Sequence, residues 1–117
     1  MPALLADNWQ TVRAARQRLH ELGATVVVGT DAGINGSKPH DVLPRALVEL
    51  VGSGMTAAEG LRALTSVAAK ACGVSDRKGR LAAGFDADIL AVHGDPTVDP
   101  HCLTAAVGVW KAGHRIR

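Results

Sequence analysis

Hydrophobic residues recur every three or four positions in the first part of the chain, which is the spacing of an amphipathic helix. The first such stretch begins at Asp7, a residue type that often caps a helix N-terminus, and Gly23 follows its last apolar residue. The sequence therefore predicts a first helix from about Asp7 to just before Gly23. The apolar residues with this spacing are Trp9, Val12, Ala15, Leu19 and Leu22.

Two more helices are predicted further along the chain. One runs from about Asp41 to Gly52, because leucines share one face and Pro44 lies in its first turn, where proline is tolerated. The next begins with Thr56-Ala57-Ala58-Glu59, a capping-box sequence in which the Thr side chain and the Glu side chain satisfy each other's backbone N–H groups. We expect that helix to end near Gly73.

Short apolar runs predict strands. Thr25-Val26-Val27-Val28-Gly29 is an unbroken β-branched run rather than an alternating one, which is typical of a parallel strand covered on both faces. The runs 89–92 and 105–110 lie between glycines and prolines and also predict strands. Residues 111–114 would form a tight hairpin that returns through 115–116.

The order of elements predicts an α/β fold in two parts, residues 1–73 and residues 74–117, with the boundary between about Gly73 and Leu81. A single parallel strand between helices cannot form a sheet, because strands need neighbours for their backbone hydrogen bonds. We therefore expect the fold to be incomplete within these residues.

Composition favours a soluble globular protein: 47% of the residues are hydrophobic and the mean hydropathy is +0.12. The net charge of +2 is too small to suggest nucleic-acid binding. Arg13, Arg16 and Arg18 cluster on the first predicted helix, where a solvated face explains them. No apolar stretch approaches about 18 residues and no secretion signal is evident, so we expect no membrane association.

The two cysteines, Cys72 and Cys102, lie thirty residues apart without a C-x-x-C motif. This spacing supports neither a zinc knuckle nor a redox motif, and a reducing cytoplasm fits best.

The most specific candidate for chemistry is Asp31, within Gly29-Thr30-Asp31-Ala32-Gly33 directly after the predicted strand. A carboxylate at the C-terminal end of a parallel strand can bind a metal and accept a proton from metal-bound water. The alternative is a turn or helix-cap aspartate. No histidine pair is spaced for metal binding. His40 lies at the end of the same loop, which comprises residues 30–39, and is a candidate substrate contact.

Other site types do not fit this segment. Gly36 is followed by Ser37 and Lys38, which is not the order of a Walker A phosphate loop, and the glycine spacing does not match a dinucleotide fold. The nucleophile motif of serine hydrolases, G-x-S-x-G, is also absent.

Four motifs in order resemble the amidohydrolase superfamily, notably the branch that contains imidazolonepropionase and prolidase-like peptidases. The resemblance extends from about Asp7 to Arg117 and corresponds to the C-terminal portion of the family. The motifs are Gly23–Gly33, similar to the last barrel strand; Gly54–Leu61 with Ala63 and Thr65, similar to "G-M-T-P-x-E-A-L-x-A-x-T"; Gly79–Leu90, similar to "G-x-I-x-x-G-x-x-A-D-L"; and Val109–His114, similar to the closing strand.

The resemblance implies the last βα units of a (β/α)8 TIM barrel in residues 1–73 and strands of a small accessory β-sandwich in residues 74–117. It implies that Asp31 is both a metal ligand and the catalytic proton shuttle. The metal would be a divalent ion of the zinc type, and its activated water would hydrolyse a C–N bond in a small cyclic amide, imidazolone or peptide.

Other features of the family are missing from this sequence. The H-x-H pair, the bridging lysine or glutamate and two further histidines have no counterpart, whereas a catalytic metal needs at least three protein ligands. We therefore expect the chain of residues 1–117 to be inactive and to bind no metal by itself. We also expect it to form a homo-oligomer or to require a missing N-terminal chain. The alternative is a non-catalytic α/β binding or assembly module derived from the family.

Overall fold

The computed structural model describes residues 3–33 and 38–117. The first helix, α1, spans Ala3–Glu21, so the predicted start was wrong: Asp7 lies inside the helix and is not its N-cap. The reason is that residues 3–6 are alanines and leucines, which favour helix strongly. The predicted end is confirmed, since Gly23 has φ +75° and its N–H donates to the His20 carbonyl.

The second helix, α2, spans Leu43–Val51 with Pro44 in its first turn, as predicted. The third predicted helix is in fact two, α3 at Ala57–Leu64 and α4 at Ser66–Ala71. The break is at Thr65, whose φ and ψ of −125° and −91° are not helical. Its N–H donates to the Arg62 carbonyl, three residues back, so the regular helical hydrogen bonding stops there.

The C-terminal part forms a three-stranded antiparallel sheet in the order β1-β2-β3. The strands are β1 at Ile89–Val92, β2 at Ala106–Lys111 and β3 at His114–Arg115. Ala112 and Gly113 form the two-residue hairpin loop with φ of +49° and +80°, which is the left-handed pair that such hairpins need. The strands predicted at residues 89–92 and 105–110 and the hairpin that follows them are confirmed.

The buried core lies between α2, α3 and a short 3₁₀ helix, Pro100–Thr104, that precedes β2 and packs against α2. Leu47 on α2 is fully buried. Gly60 allows α3 to approach it, because a Cβ at residue 60 would lie 2.6 Å from the Leu47 Cδ1. Among the side chains that the structure describes, the other buried apolar ones are Leu50, Ala63, Ala69 and Cys102.

Thr25–Gly29 does not form a strand, which corrects the prediction of a buried parallel strand. Its backbone pairs with no strand among residues 3–33 and 38–117; the Val28 N–H donates to the Ala63 carbonyl at 3.4 Å. Val27 is 42% exposed. The physical reason is that a strand exists only with a neighbour, and the described residues supply none beside this segment.

The described residues thus form a mixed fold of helices and a small sheet. Among them, no helix combines the length and the apolar character that crossing a membrane would require.

Candidate functional site

The candidate site is the loop that follows residues 25–29. Asp31 has φ +49°, a left-handed conformation that aspartate tolerates better than most residues. The Ala32 N–H donates to the Thr30 hydroxyl oxygen at 3.2 Å, which fixes the start of the turn. Residues 34–37 lie outside the described part of the chain. The Gly33 N–H donates to the Lys38 carbonyl at 2.9 Å, so the two described ends of the loop are held together.

An ion pair gives Asp31 its charge environment. The Lys38 ammonium donates to the Asp31 Oδ2 at 2.9 Å. The Asp31 side chain is 76% exposed and that of Lys38 43% exposed, so water screens the pair. Asp31 is therefore an accessible carboxylate whose described counter-charge is an amine rather than other metal-binding side chains.

His40 lies beside the same loop. A Cβ built on Gly33 would be 3.5 Å from the His40 Cε1, so the imidazole lies close to Gly33, and His40 is exposed. The structure thus brings Asp31, Lys38 and His40 to one loop. The predicted roles of Asp31 as catalytic metal ligand and of His40 as substrate contact stay predictions.

Lys38 is the member of this group that the sequence did not single out. Its only signal was its position in the loop seven residues after Asp31. Sequence spacing cannot show that a loop folds back on itself, since that depends on the backbone hydrogen bond between Gly33 and Lys38.

An open cavity of about 470 Å³ lies next to this loop, between α1, residues 24–30 and α2. Most of its wall is apolar, and Thr30 is one of its lining residues. Arg13 on α1 donates to Glu49 on α2 at 2.8 Å, and this ion pair links the two helices that flank the cavity.

A catalytic metal does not fit the described residues alone. Within 3–33 and 38–117, no group of three or more His, Cys, Asp or Glu side chains is placed to hold an ion. A zinc site needs at least three protein ligands, and Asp31 offers one.

Burial raises the pKa of the Cys102 thiol, which favours the unreactive thiol form.

The other notable carboxylates have structural partners. The Lys78 ammonium and the Arg77 guanidinium lower the pKa of Asp86, and Lys78 also donates to Asp88. Asp88 in turn accepts from the Ala112 N–H in the hairpin loop at 2.9 Å. These contacts connect the loop after α4 to the sheet, so these aspartates have a structural role in the turns before β1 and beside the hairpin.

Comparison with known proteins decides the family. The model of the amidohydrolase family matches residues 9–116, nearly the whole length. The chain belongs to the amidohydrolase family. A curated relative, the imidazolonepropionase of Deinococcus deserti, is 41% identical over an alignment of 109 residues that covers 88% of this chain and 26% of the relative.

Solved structures of amidohydrolases share the fold. A Xaa-Pro dipeptidase with bound methionine in its active site superposes on 91% of this chain with a TM-score of 0.84 and 28% identity. A candidate prolidase from Bifidobacterium longum superposes on 89% of this chain with a TM-score of 0.83 and 34% identity. This chain covers 25% and 26% of those two chains. It therefore spans about a quarter of the length of these three relatives.

Proposed function

We propose that this chain is the C-terminal part of a metal-dependent amidohydrolase that hydrolyses C–N bonds in small amide, imidazolone or peptide substrates. Residues 1–73 would contribute the last βα units of a (β/α)8 barrel, and residues 74–117 the strands of an accessory β-sandwich. The observation that carries the proposal is the superposition on a Xaa-Pro dipeptidase over 91% of this chain but 25% of that enzyme. A chain that matches a quarter of the enzyme would contribute only some of the active-site residues.

Within this proposal, Asp31 is the carboxylate that the chain contributes to the active site. It directly follows residues 25–29, which pair with no strand among the described residues, and its side chain is accessible. In a complete barrel, the carboxyl ends of parallel strands surround the active site. The described residues do not make a metal site, so the other ligands of a divalent ion, zinc by the family resemblance, would have to come from further polypeptide.

The substrate class rests on the named relatives, an imidazolonepropionase and a Xaa-Pro dipeptidase. Both names denote enzymes that act on small molecules with C–N bonds. We assign the complete enzyme to the cytoplasm, in keeping with two free cysteines.

The test is hydrolysis by a chimera in which this chain replaces the matched 109 residues of the Deinococcus deserti imidazolonepropionase. We expect turnover of imidazolonepropionate or of a Xaa-Pro dipeptide. Asp31→Asn should lower kcat/KM by about 100-fold or more, since a positioned carboxylate that moves protons is worth about that much. Asp95→Asn is the control, because Asp95 accepts from Thr97 in a turn of its own.

A non-catalytic binding or assembly module is the second candidate function. The lack of a three-ligand group among the described residues favours it. A folded chimera that binds zinc yet hydrolyses neither substrate would support this candidate over the enzyme.

A further inference from the structure

Lys38 is held beside Asp31 by its backbone as well as by its charge. The Gly33 N–H donates to the Lys38 carbonyl at 2.9 Å, so the loop closes at this residue. Pro39 follows, and the residue before a proline favours an extended backbone. The base of the Lys38 side chain is therefore fixed, and its ammonium lies 2.9 Å from the Asp31 Oδ2.

The ion pair leaves the ammonium able to bind a second acceptor. An ammonium group has three N–H donors, and the Asp31 carboxylate accepts from one of them. Within residues 3–33 and 38–117, no other group accepts from the Lys38 ammonium. The Lys38 side chain is 43% exposed, so its remaining donors can reach a molecule that enters from the solvent.

Stability does not explain why this lysine lies here. Both side chains of the pair are accessible to water, which screens an ion pair until it contributes little to folding. The position of the loop gives a better explanation. In the proposed barrel, the loop after residues 25–29 lies at the carboxyl end of the strands, where substrates bind.

The proposed substrates share a group that an ammonium binds. Imidazolonepropionate carries a propionate, and a Xaa-Pro dipeptide carries a C-terminal carboxylate. Carboxylate oxygens accept charge-assisted hydrogen bonds, which are stronger than bonds between neutral groups. An ammonium that lies between the Asp31 carboxylate and a substrate carboxylate also offsets the repulsion between these two negative charges.

We propose that Lys38 selects substrates that carry a carboxylate, which it binds while it stays paired with Asp31. The inference rests on the proposed function and names the substrate class of that site, small amides or peptides with a free carboxylate. A neutral amide in place of the carboxylate forms only an ordinary hydrogen bond with the ammonium. Lys38 is thus a specificity-determining residue.

The test measures binding to the chimera with the Deinococcus deserti imidazolonepropionase. One probe is imidazole-4-propionate, which has the carboxylate but no ring amide to hydrolyse. The other is its primary amide, which has the same ring and chain without the negative charge. Calorimetric titration gives the dissociation constant of each probe. We expect Lys38→Met to raise that of the propionate about tenfold and that of the amide by less than about twofold, since only the propionate loses a charge-assisted bond.

Two further variants are controls. Lys38→Arg keeps a cation at this position and should retain the preference for the propionate. Lys70→Met removes an exposed lysine in the last turn of α4 and should leave both dissociation constants unchanged, so it controls for the loss of one positive charge. If Lys38 only supported the structure of the loop, Lys38→Met would weaken the binding of both probes to the same extent.

Three results would overturn the inference: binding of neither probe to the folded chimera, an equal loss of both probes in Lys38→Met, and an unchanged preference for the propionate in that variant. Turnover of imidazolonepropionate by the same chimera is measured separately. Hydrolysis together with an unchanged preference in Lys38→Met would leave the proposed function in place and refute the role of Lys38. Binding of the propionate through Lys38 without hydrolysis would support that role and count against the enzyme.

Discussion

Gly79 lies where the loop after α4 crosses the break between α3 and α4. A Cβ at this position would be 2.6 Å from the Ala69 Cβ and 2.9 Å from the Thr65 carbonyl oxygen, and its φ is +92°. Neither neighbour can move freely, because one is a backbone atom and the other a Cβ on a buried residue. Glycine is required here for two reasons, the close approach and the left-handed backbone.

We predict that Gly79→Ala destabilises the protein more than Gly84→Ala does. Gly84 has φ +82° but nothing within 4 Å of a built Cβ, so its variant measures the backbone strain alone, about 1–2 kcal/mol. Gly79→Ala should add about 1–3 kcal/mol for overpacking. Urea unfolding of both variants measures the difference. Equal losses would mean that the contact with Thr65 and Ala69 relaxes without cost.

At the same scale, the sequence predicted Asp31 as the candidate carboxylate but not its partner Lys38. The residue type and the position after a β-branched run are local signals, whereas the ion pair at 2.9 Å exists only because the loop closes between Gly33 and Lys38.

Among the helices, α3 is the one whose start is best explained by neighbouring residues. The Thr56 hydroxyl accepts from the Glu59 N–H at 3.2 Å, and the Thr56 N–H donates to the Glu59 carboxylate at 2.8 Å, which is the capping box that the sequence predicted. The Thr56 hydroxyl also donates to the Glu59 Oε2 at 2.7 Å. This bond, and after it the one from the Thr56 backbone N–H, lowers the pKa of the Glu59 carboxyl group.

We predict that Thr56→Ala lowers the free energy of unfolding by about 1 kcal/mol, since it removes the oxygen that accepts from the first turn. Thr56→Ser keeps that oxygen and should stay close to wild type. Thermal or urea unfolding monitored by circular dichroism distinguishes the two. Equal stability of the alanine and serine variants would mean that the cap contributes nothing here.

The ion-pair network of Lys78, Arg77, Asp86 and Asp88 predicts a pH dependence. Lys78, and then Arg77, lower the pKa of Asp86 below its ordinary 3.8, and Lys78 likewise lowers that of Asp88. A carboxyl group whose pKa is lower in the folded state binds fewer protons when folded. The stability it contributes is present above pH 3.8 and is lost as the pH falls through the folded value.

We therefore expect the urea concentration at which half of the protein is unfolded to decrease as the pH is lowered from 5 to 2. The decrease should be smaller in Asp86→Asn. Asp41→Asn, at an exposed residue outside the network, should retain the wild-type dependence. The midpoints are measured at fixed ionic strength, because salt screens exposed pairs. If the urea midpoint of Asp86→Asn depended on pH as that of the wild type does, Asp86 would not be a source of the pH dependence.

For the whole molecule, the exposed apolar surface predicts association. Large hydrophobic side chains are exposed on α1, on residues 25–29 and on the loop after α4, among them Leu19 at 53% and Leu81 at 77%. We predict that the isolated chain aggregates or oligomerises, as light scattering after size-exclusion chromatography measures. A monodisperse monomer that unfolds cooperatively would refute this prediction.

We also predict that the purified isolated chain holds less than one equivalent of zinc, because a single accessible carboxylate paired with a lysine is a weak ligand. Metal analysis should give the same value for Asp31→Asn. Stoichiometric zinc that disappears in the Asn variant would show that the chain makes a site of its own.

What the sequence by itself determined is local. Helix ends followed from Gly23, Pro44 and the capping box, and the hairpin from the loop at 112–113, because each depends on the conformational preference of a few neighbouring residues. The order of motifs also determined the family, which the match over residues 9–116 confirmed.

The tertiary structure decided what depends on distant partners. Thr65 breaks the third predicted helix where Gly79 packs against it, and Lys38 pairs with Asp31 across a closed loop. Residues 25–29 have the sequence of a strand but do not form one, because a strand is made by hydrogen bonds to a neighbour and not by propensity alone.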